Sequence, residues 1–159
     1  MPRLGQISEL NVKSLGITTN GILLSRLMPQ LIAGGLTKIN VSLDTLNALK
    51  FEKISRRPIA AWYKVWKGIE SAELMGYHPL KINVVVMRGT NEDEICDFVA
   101  LTQERHLDVR FIEYMPFSGN KWDLQKMVSY KEMMEMISAK FPTIEKLEDS
   151  VNHTAKVRF

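Results

Sequence analysis

The chain predicts an α/β fold in which parallel strands and helices alternate, as one α/β layer or as part of a (β/α) barrel. Two observations carry that expectation. Four short runs rich in β-branched and aliphatic residues are each followed by a stretch of helical periodicity, and strands separated in this way pair in parallel through right-handed crossovers. The strand-like runs also place polar residues at alternate positions, as strands with two unlike faces do. A length of 159 residues with 45% hydrophobic and 25% charged residues suits about one domain with a real core, and excludes disordered or collagen-like chains.

Residues 15–21, LGITTNG, open on an apolar stretch and close on small polar residues and Gly21, so they read as a first strand entering a loop. Leu24, Met28, Leu31 and Ile32 then recur at helical spacing up to Gly34 and Gly35, a pair suited to a helix C-cap. A second strand is expected over 38–44, KINVSLD. Its helix spans 60–75, with Trp62, Val65, Trp66, Ile69, Ala72 and Met75 on one face and Gly76 as the stop.

Residues 80–87, LKINVVVM, are the most strand-like run. Asn91 with Glu94 three residues on resembles a capping box opening a helix that runs to about Arg105. Residues 109–115, VRFIEYM, form the fourth strand, and Ser129 with Glu132 at N3 starts a helix that reaches Lys140 before Pro142 stops it. Residues 1–14 hold only a short hint of helix, and the tail from Thr143 ends in a strand-like AKVRF, so both ends look unfinished.

Charge and cysteine usage narrow the function classes. The formal net charge of +3 is scattered along the chain, which suits anionic small molecules better than duplex DNA. Cys96 is the one cysteine, so neither a disulfide framework nor a metal site of several thiolates comes from this chain alone. No apolar run approaches the roughly 20 residues that span a bilayer, residues 1–14 lack the apolar core of a secretory signal, and the chain reads as soluble and intracellular.

Strand parity then selects candidate site residues. One parity gathers Thr18 and Asn20, then Asn40, Ser42 and Asp44, then Lys81 and Asn83, then Arg110 and Tyr114; the other holds aliphatic residues and Phe111. Strands of a parallel sheet covered on both faces are apolar on both, so a repeatedly polar face points to a concavity that meets a polar ligand near the carboxyl ends of the strands. Lys81 and Arg110 would supply positive charge there for an anionic group such as phosphate.

Each residue also has a plainer reading. Thr18, Thr19 and Asn20 suit turns and caps, Lys81 and Arg110 suit snorkelling from strand starts, and Ser42 suits a small core position. Met115 reads as a packing side chain whose backbone could face a ligand, Trp62 and Trp66 as core, and Cys96 as a small buried hydrophobe. His78, His106 and His153 show no metal-ligand spacing.

ITTNG at 17–21, INVSLD at 39–44, KINVVVMRGTNEDE at 81–94 and RFIEYMPFSGNKW at 110–122 together resemble, in order and spacing, the GTP 3′,8-cyclase family of molybdenum cofactor biosynthesis, the molybdenum cofactor biosynthesis protein A family of the radical SAM superfamily. The match spans about residues 15–140 and is nearest the animal-type proteins. The resemblance implies a partial (β/α) barrel, of which this chain would supply strands three to six of six with outer helices. It also implies S-adenosylmethionine, two four-iron four-sulfur (4Fe-4S) clusters and GTP as substrate, with conversion of GTP to (8S)-3′,8-cyclo-7,8-dihydroguanosine 5′-triphosphate. Carried over by position, Ser42, Met115 through its backbone, and Asn20 would contact S-adenosylmethionine. Thr18, Lys81 and Arg110 would contact GTP.

The family's N-terminal CxxxCxxC motif, its Gly-Gly-Glu-Pro segment, its C-terminal three-cysteine motif and its arginines near both clusters have no counterpart in these residues. The expectation is therefore one partial radical SAM core domain over 1–159, an internal piece of such an enzyme that is inactive by itself and has no catalytic or metal-ligating residue of its own. A short isoform or degenerate paralogue that binds nucleotide or a partner protein is the alternative. The resemblance further implies a homodimeric parent in the mitochondrial matrix if animal-type, otherwise in the cytoplasm, with no membrane or nucleic-acid partner.

Overall fold

In the computed structural model, residues 13–115 and 124–145 are described. Four parallel strands, β1 (Gly16–Thr19), β2 (Lys38–Ser42), β3 (Leu80–Val86) and β4 (Leu107–Glu113), lie side by side in chain order. The connections are α1 (Leu24–Ala33) after β1, α2 (Ala48–Ser55) and α3 (Ile59–Leu74) after β2, and α4 (Ile95–Glu104) after β3; α5 (Tyr130–Lys140) follows β4. Parallel neighbours in chain order with right-handed crossovers place their connecting helices on one face.

Burial follows that geometry. Ile39 and Val41 of β2 and Leu80, Ile82, Val84 and Val86 of β3 are at most 2% exposed, in one core cluster with Val65, Ile69 and Ala72 of α3, Phe98 of α4 and Ile137 of α5. Each such aliphatic side chain contributes about 1.5–3 kcal/mol on burial, so this face holds the sheet and the helices together. Trp62 and Trp66 pack against the cluster while keeping part of their surface in solvent.

Two glycines allow a close approach between the β1–α1 turn and α3. A Cβ on Gly68 of α3 would lie 2.8 Å from the Gly21 carbonyl and 2.9 Å from Leu24 Cβ. Gly21 itself has φ +76°, and a Cβ there would meet Val65 and Val41 at 3.0 and 3.1 Å. The β1–α1 turn therefore presses directly on α3, which only residues without a side chain permit.

The predicted boundaries need four corrections. An eight-residue helix, α2, occupies a stretch for which no element is expected, with Asn47 Oδ1 accepting from the amides of Leu49 and Lys50. β2 ends at Ser42 rather than residue 44, and β4 begins at Leu107 and ends at Glu113, two residues earlier at each end than expected. The capping box expected at Asn91 and Glu94 does not form: a 3-10 turn, Glu92–Glu94, precedes α4, and both side chains point elsewhere, as described below. The box expected at Ser129 and Glu132 does form, with the Glu132 amide donating to Ser129 Oγ at 3.3 Å and the Ser129 amide to Glu132 Oε2 at 2.9 Å.

Two side chains expected in the interior lie further out. Met115 is 50% exposed, two residues past the end of β4, so its side chain is not buried in the core. Cys96 is only partly buried, its Sγ 3.6 Å from the Met136 carbonyl between α4 and α5. The expectations for residues 1–12, for 116–122 of the fourth motif, for His153 and for the AKVRF strand lie outside the described residues.

Candidate functional site

The sheet register sorts the polar side chains into rows. Thr18 of β1 stands beside Asn40 of β2, Asn40 beside Lys81 of β3, and Lys81 beside Asp108 of β4. One pleat further toward the carboxyl ends, Ser42, Asn83 and Arg110 form a second row. With strands about 4.8 Å apart, a four-strand row spans about 14 Å. Thr18 and Ser42 are exposed and Lys81, Asn83 and Arg110 half-buried, so this face is open among the described residues.

Local hydrogen bonds show what each side chain already does. Asn40 Nδ2 donates to Thr18 Oγ1 at 3.3 Å, linking β1 and β2 side chain to side chain. The Gly21 amide donates to Thr19 Oγ1 at 3.1 Å and the Ile22 amide to Asn20 Oδ1 at 3.2 Å. Thr19 and Asn20 thus shape the turn into α1, the plainer of their two readings, and Asn20 does so while lining a cleft. Arg110 makes no ion pair with another described residue.

That cleft, of about 260 Å³, opens at the carboxyl ends of β1 and β2. Asn20, Ser42 and Asp44 line it from the strand ends, Ile22, Phe51 and Ile54 give it an apolar wall, and Ser55 and Arg57 close it from the end of α2. Small-molecule sites usually occupy about 300–1,000 Å³, so the cleft accommodates part of such a ligand. Burial pushes the Asp44 carboxyl above its ordinary range, offset in part by the Val85 amide, which donates to its Oδ1 at 2.8 Å. Of the residues proposed by parity or resemblance, the structure brings Asn20, Ser42 and Asp44 together in the cleft. Thr18, Lys81 and Arg110 are spread along the adjoining rows, and Met115 lies past the end of β4.

Behind the cleft lies a buried polar network. Asn91, Thr45 and Glu94 are 2, 1 and 6% exposed. Asn91 Nδ2 donates to the carbonyls of Asp44 and Val85 at 2.6 and 2.9 Å, and its Oδ1 accepts from the Met87 amide at 2.7 Å. Glu94 accepts from Thr45 Oγ1 at 2.8 Å and from the Leu46 amide at 2.6 Å, and it pairs with Lys50 of α2 at 3.0 Å. Trp62 Nε1 donates to the Thr45 carbonyl at 3.3 Å. Three buried polar side chains are costly unless every one is paired, and here each is.

Sequence reasoning did not place Phe51, Ile54, Ser55 and Arg57 at the site, because it looked at strands and these residues sit on α2 or just after it. The signal available was Asn47 two residues before Leu49, an N-cap ahead of an apolar pair.

Iron–sulfur clusters are held by several Cys thiolates. The chain has one cysteine, and among the described residues no three His, Cys, Asp or Glu side chains converge on a metal position, so these residues do not fit a cluster. A polar face carrying Lys and Arg beside a part-apolar cleft does fit portions of an anionic nucleotide and of S-adenosylmethionine.

Residues 3–102 match the family model described as the radical SAM superfamily. Molybdenum cofactor biosynthesis protein 1 of Bos taurus is 55% identical over 154 residues, covering 96% of this chain and 24% of that protein, and the Homo sapiens protein gives the same figures. GTP 3′,8-cyclase, mitochondrial, of Arabidopsis thaliana is 48% identical over 152 residues, covering 95% of this chain and 38% of that protein. The chain therefore spans a quarter to two-fifths of the length of these curated relatives. A solved structure of TYW1 with a lysine-pyruvate adduct bound superposes with a TM-score of 0.63 at 20% identity, covering 91% of this chain and 46% of that one, and shows the shared fold. With the chain-order parallel sheet, the one-sided helix layer and a family match over most of its length, the chain belongs to the radical SAM superfamily.

Proposed function

We propose that the polar face of this sheet is part of the ligand-binding wall of a GTP 3′,8-cyclase acting in molybdenum cofactor biosynthesis. The observation that carries the reading is 55% identity over 96% of the chain with molybdenum cofactor biosynthesis protein 1 of Bos taurus. It is supported by the rows, since Thr18, Lys81, Ser42 and Arg110 share one face and one pair of tiers.

Lys81 and Arg110 offset the triphosphate charge of GTP, Arg110 with the planar fork that meets phosphate oxygens bidentately, and the Thr18 hydroxyl orients the same ligand. The Ser42 hydroxyl, the Asn20 side chain and the Met115 backbone hold S-adenosylmethionine against the apolar wall of the cleft. S-adenosylmethionine would supply a 5′-deoxyadenosyl radical for hydrogen abstraction from the GTP ribose, given one electron from a four-iron cluster held outside these residues, with methionine leaving as its sulfonium bond breaks. The chain's own residues bind and orient these two molecules. The chain's one cysteine does not fit a cluster. Residues 1–159 make up one partial radical SAM core, its strands the third to sixth of six, within a protein that is homodimeric and, as the Arabidopsis relative is named, mitochondrial.

Titrating the folded chain with S-adenosylhomocysteine and with GTP tests the reading. Both are expected to bind, Ser42→Ala weakening the first and Lys81→Ala or Arg110→Ala weakening GTP by about 1.5–3 kcal/mol, the range for hydrogen bonds to charged groups. Retained folding with neither ligand bound at millimolar concentration overturns it. The single cysteine favours a second reading in which this chain binds without chemistry of its own. Anaerobic iron and sulfide reconstitution separates the two: a stoichiometric four-iron absorption with cleavage of S-adenosylmethionine defeats the binding-only reading.

A further inference from the structure

The cleft has two walls with different origins. One is the end of β2 with the turn that follows it, carrying Ser42, Asp44 and Thr45; the other is α2, carrying Phe51, Ile54 and Ser55. Glu94 lines neither. It approaches from the start of α4 and holds both, accepting from Thr45 Oγ1 and the Leu46 amide on the first wall and pairing with Lys50 on the second.

We infer that Glu94 is a positioning residue that sets the separation of the two cleft walls. A carboxylate at a helix start needs no burial, since solvent and the free amides of the first turn stabilise it there. Glu94 is instead 6% exposed and its neighbour Ile95 opens α4 without a side-chain cap from it. Burying that carboxylate is tolerable only when donors surround it, and every donor that does so belongs to one wall or the other. The compensation for burial is therefore the tie between the walls. Asn91 holds the first wall to β3 from behind, through the Asp44 and Val85 carbonyls, while α2, seated in the core by Phe51, meets Glu94 through Lys50. Lys50 also meets Asp93, but at 67% exposure Asp93 offers a screened partner, and the buried member of the pair decides the geometry.

The assignment of S-adenosylmethionine to the cleft rests on the reading proposed above, so the test has a ligand arm and a ligand-free arm. Glu94→Gln keeps the shape and one acceptor but removes the ion pair, Lys50→Met removes it from the other side, and Lys50→Arg restores it. In the ligand arm, Glu94→Gln and Lys50→Met are expected to weaken S-adenosylhomocysteine binding about 5- to 30-fold. GTP, held by strand residues, changes less than about twofold, and Lys50→Arg behaves as the parent. A general loss of stability would move both ligands together.

In the ligand-free arm, amide exchange at Leu46 and in the first turn of α2 is expected to speed up about tenfold or more in the same two variants while the β3 amides stay protected. Unchanged exchange in both variants, or S-adenosylhomocysteine affinity within twofold of the parent, overturns the inference. If the parent binds no S-adenosylhomocysteine, the functional reading fails and the exchange arm alone decides this one. If Glu94→Gln does not fold, Lys50→Met, altered at a side chain 30% exposed, carries the test.

Discussion

Along β3 neighbouring residues serve opposite faces. Leu80, Ile82, Val84 and Val86 are at most 1% exposed against the helices, whereas Lys81, Asn83 and Val85 between them stay half-exposed on the open face. The same alternation runs through β2, with Ile39 and Val41 buried and Asn40 and Ser42 turned outward. A strand of this kind serves two masters with no shared side chain: one parity holds the fold, the other forms the open face proposed above to meet a ligand. Substitutions on the two faces should therefore separate stability from binding.

The largest effect is expected on the packed face. Ile82→Ala, at a position of zero exposure, should cost about 2–5 kcal/mol in denaturant unfolding; a loss below about 1 kcal/mol would show that this face is not the core. Gly68→Ala comes next, because its Cβ would meet the backbone carbonyl of Gly21 at 2.8 Å, and overpacking of that kind costs about 1–3 kcal/mol. Thermal melts of this variant that match the parent would mean α3 can move away from the β1–α1 turn.

On the open face the order inverts. Ser42→Ala is expected to change stability by less than about 0.5 kcal/mol while reducing S-adenosylhomocysteine binding, and a variant that unfolds the chain would erase the distinction between faces.

The smallest effect concerns Glu132, which sits at the start of α5 and on neither face of a strand. The Ser129 amide and hydroxyl, then the Arg88 guanidinium, hold the Glu132 carboxyl at about 2, below its ordinary 4.5. A folded-state value below the unfolded one stabilises the fold above 4.5, and the contribution is lost as pH falls toward 2. Unfolding of Glu132→Gln and the parent should therefore differ by a constant amount above that range and converge in acid. A gap that persists at pH 2 would mean that Glu132 acts through something other than its charge.

Legibility in the sequence tracked distance along the chain. The α3 helix, β3 and the Ser129 capping box declare themselves within a few residues, through periodicity and a cap. Glu94 follows the same local rule and breaks it, since the residue types that cap a helix also brace a buried turn, and its partner Thr45 is 49 residues away. Parity on the strands selected Thr18, Ser42, Lys81 and Arg110 because alternation is a local property. It is blind to Phe51, Ile54 and Arg57, which reach the cleft only because an eight-residue helix and the residues just past its end bring them there. Met115 shows that hydrophobicity alone does not predict burial, since it lies two residues past β4 and is 50% exposed.

The strict two-residue period of β2 and β3 also constrains how such a gene tolerates insertions and deletions. Removing one codon inside β3 would rotate every later residue of the strand to the other side, sending Asn83 toward the helices and Ile82 or Val84 into solvent, two kinds of damage from one event. The loops at the amino ends of the strands, such as the one at Gly76, where a Cβ would meet nothing within 4 Å, carry no such phase. Length variation among related genes should therefore collect at that end of the sheet and avoid the strands, leaving a record of the two faces that is written in spacing rather than in residue identity.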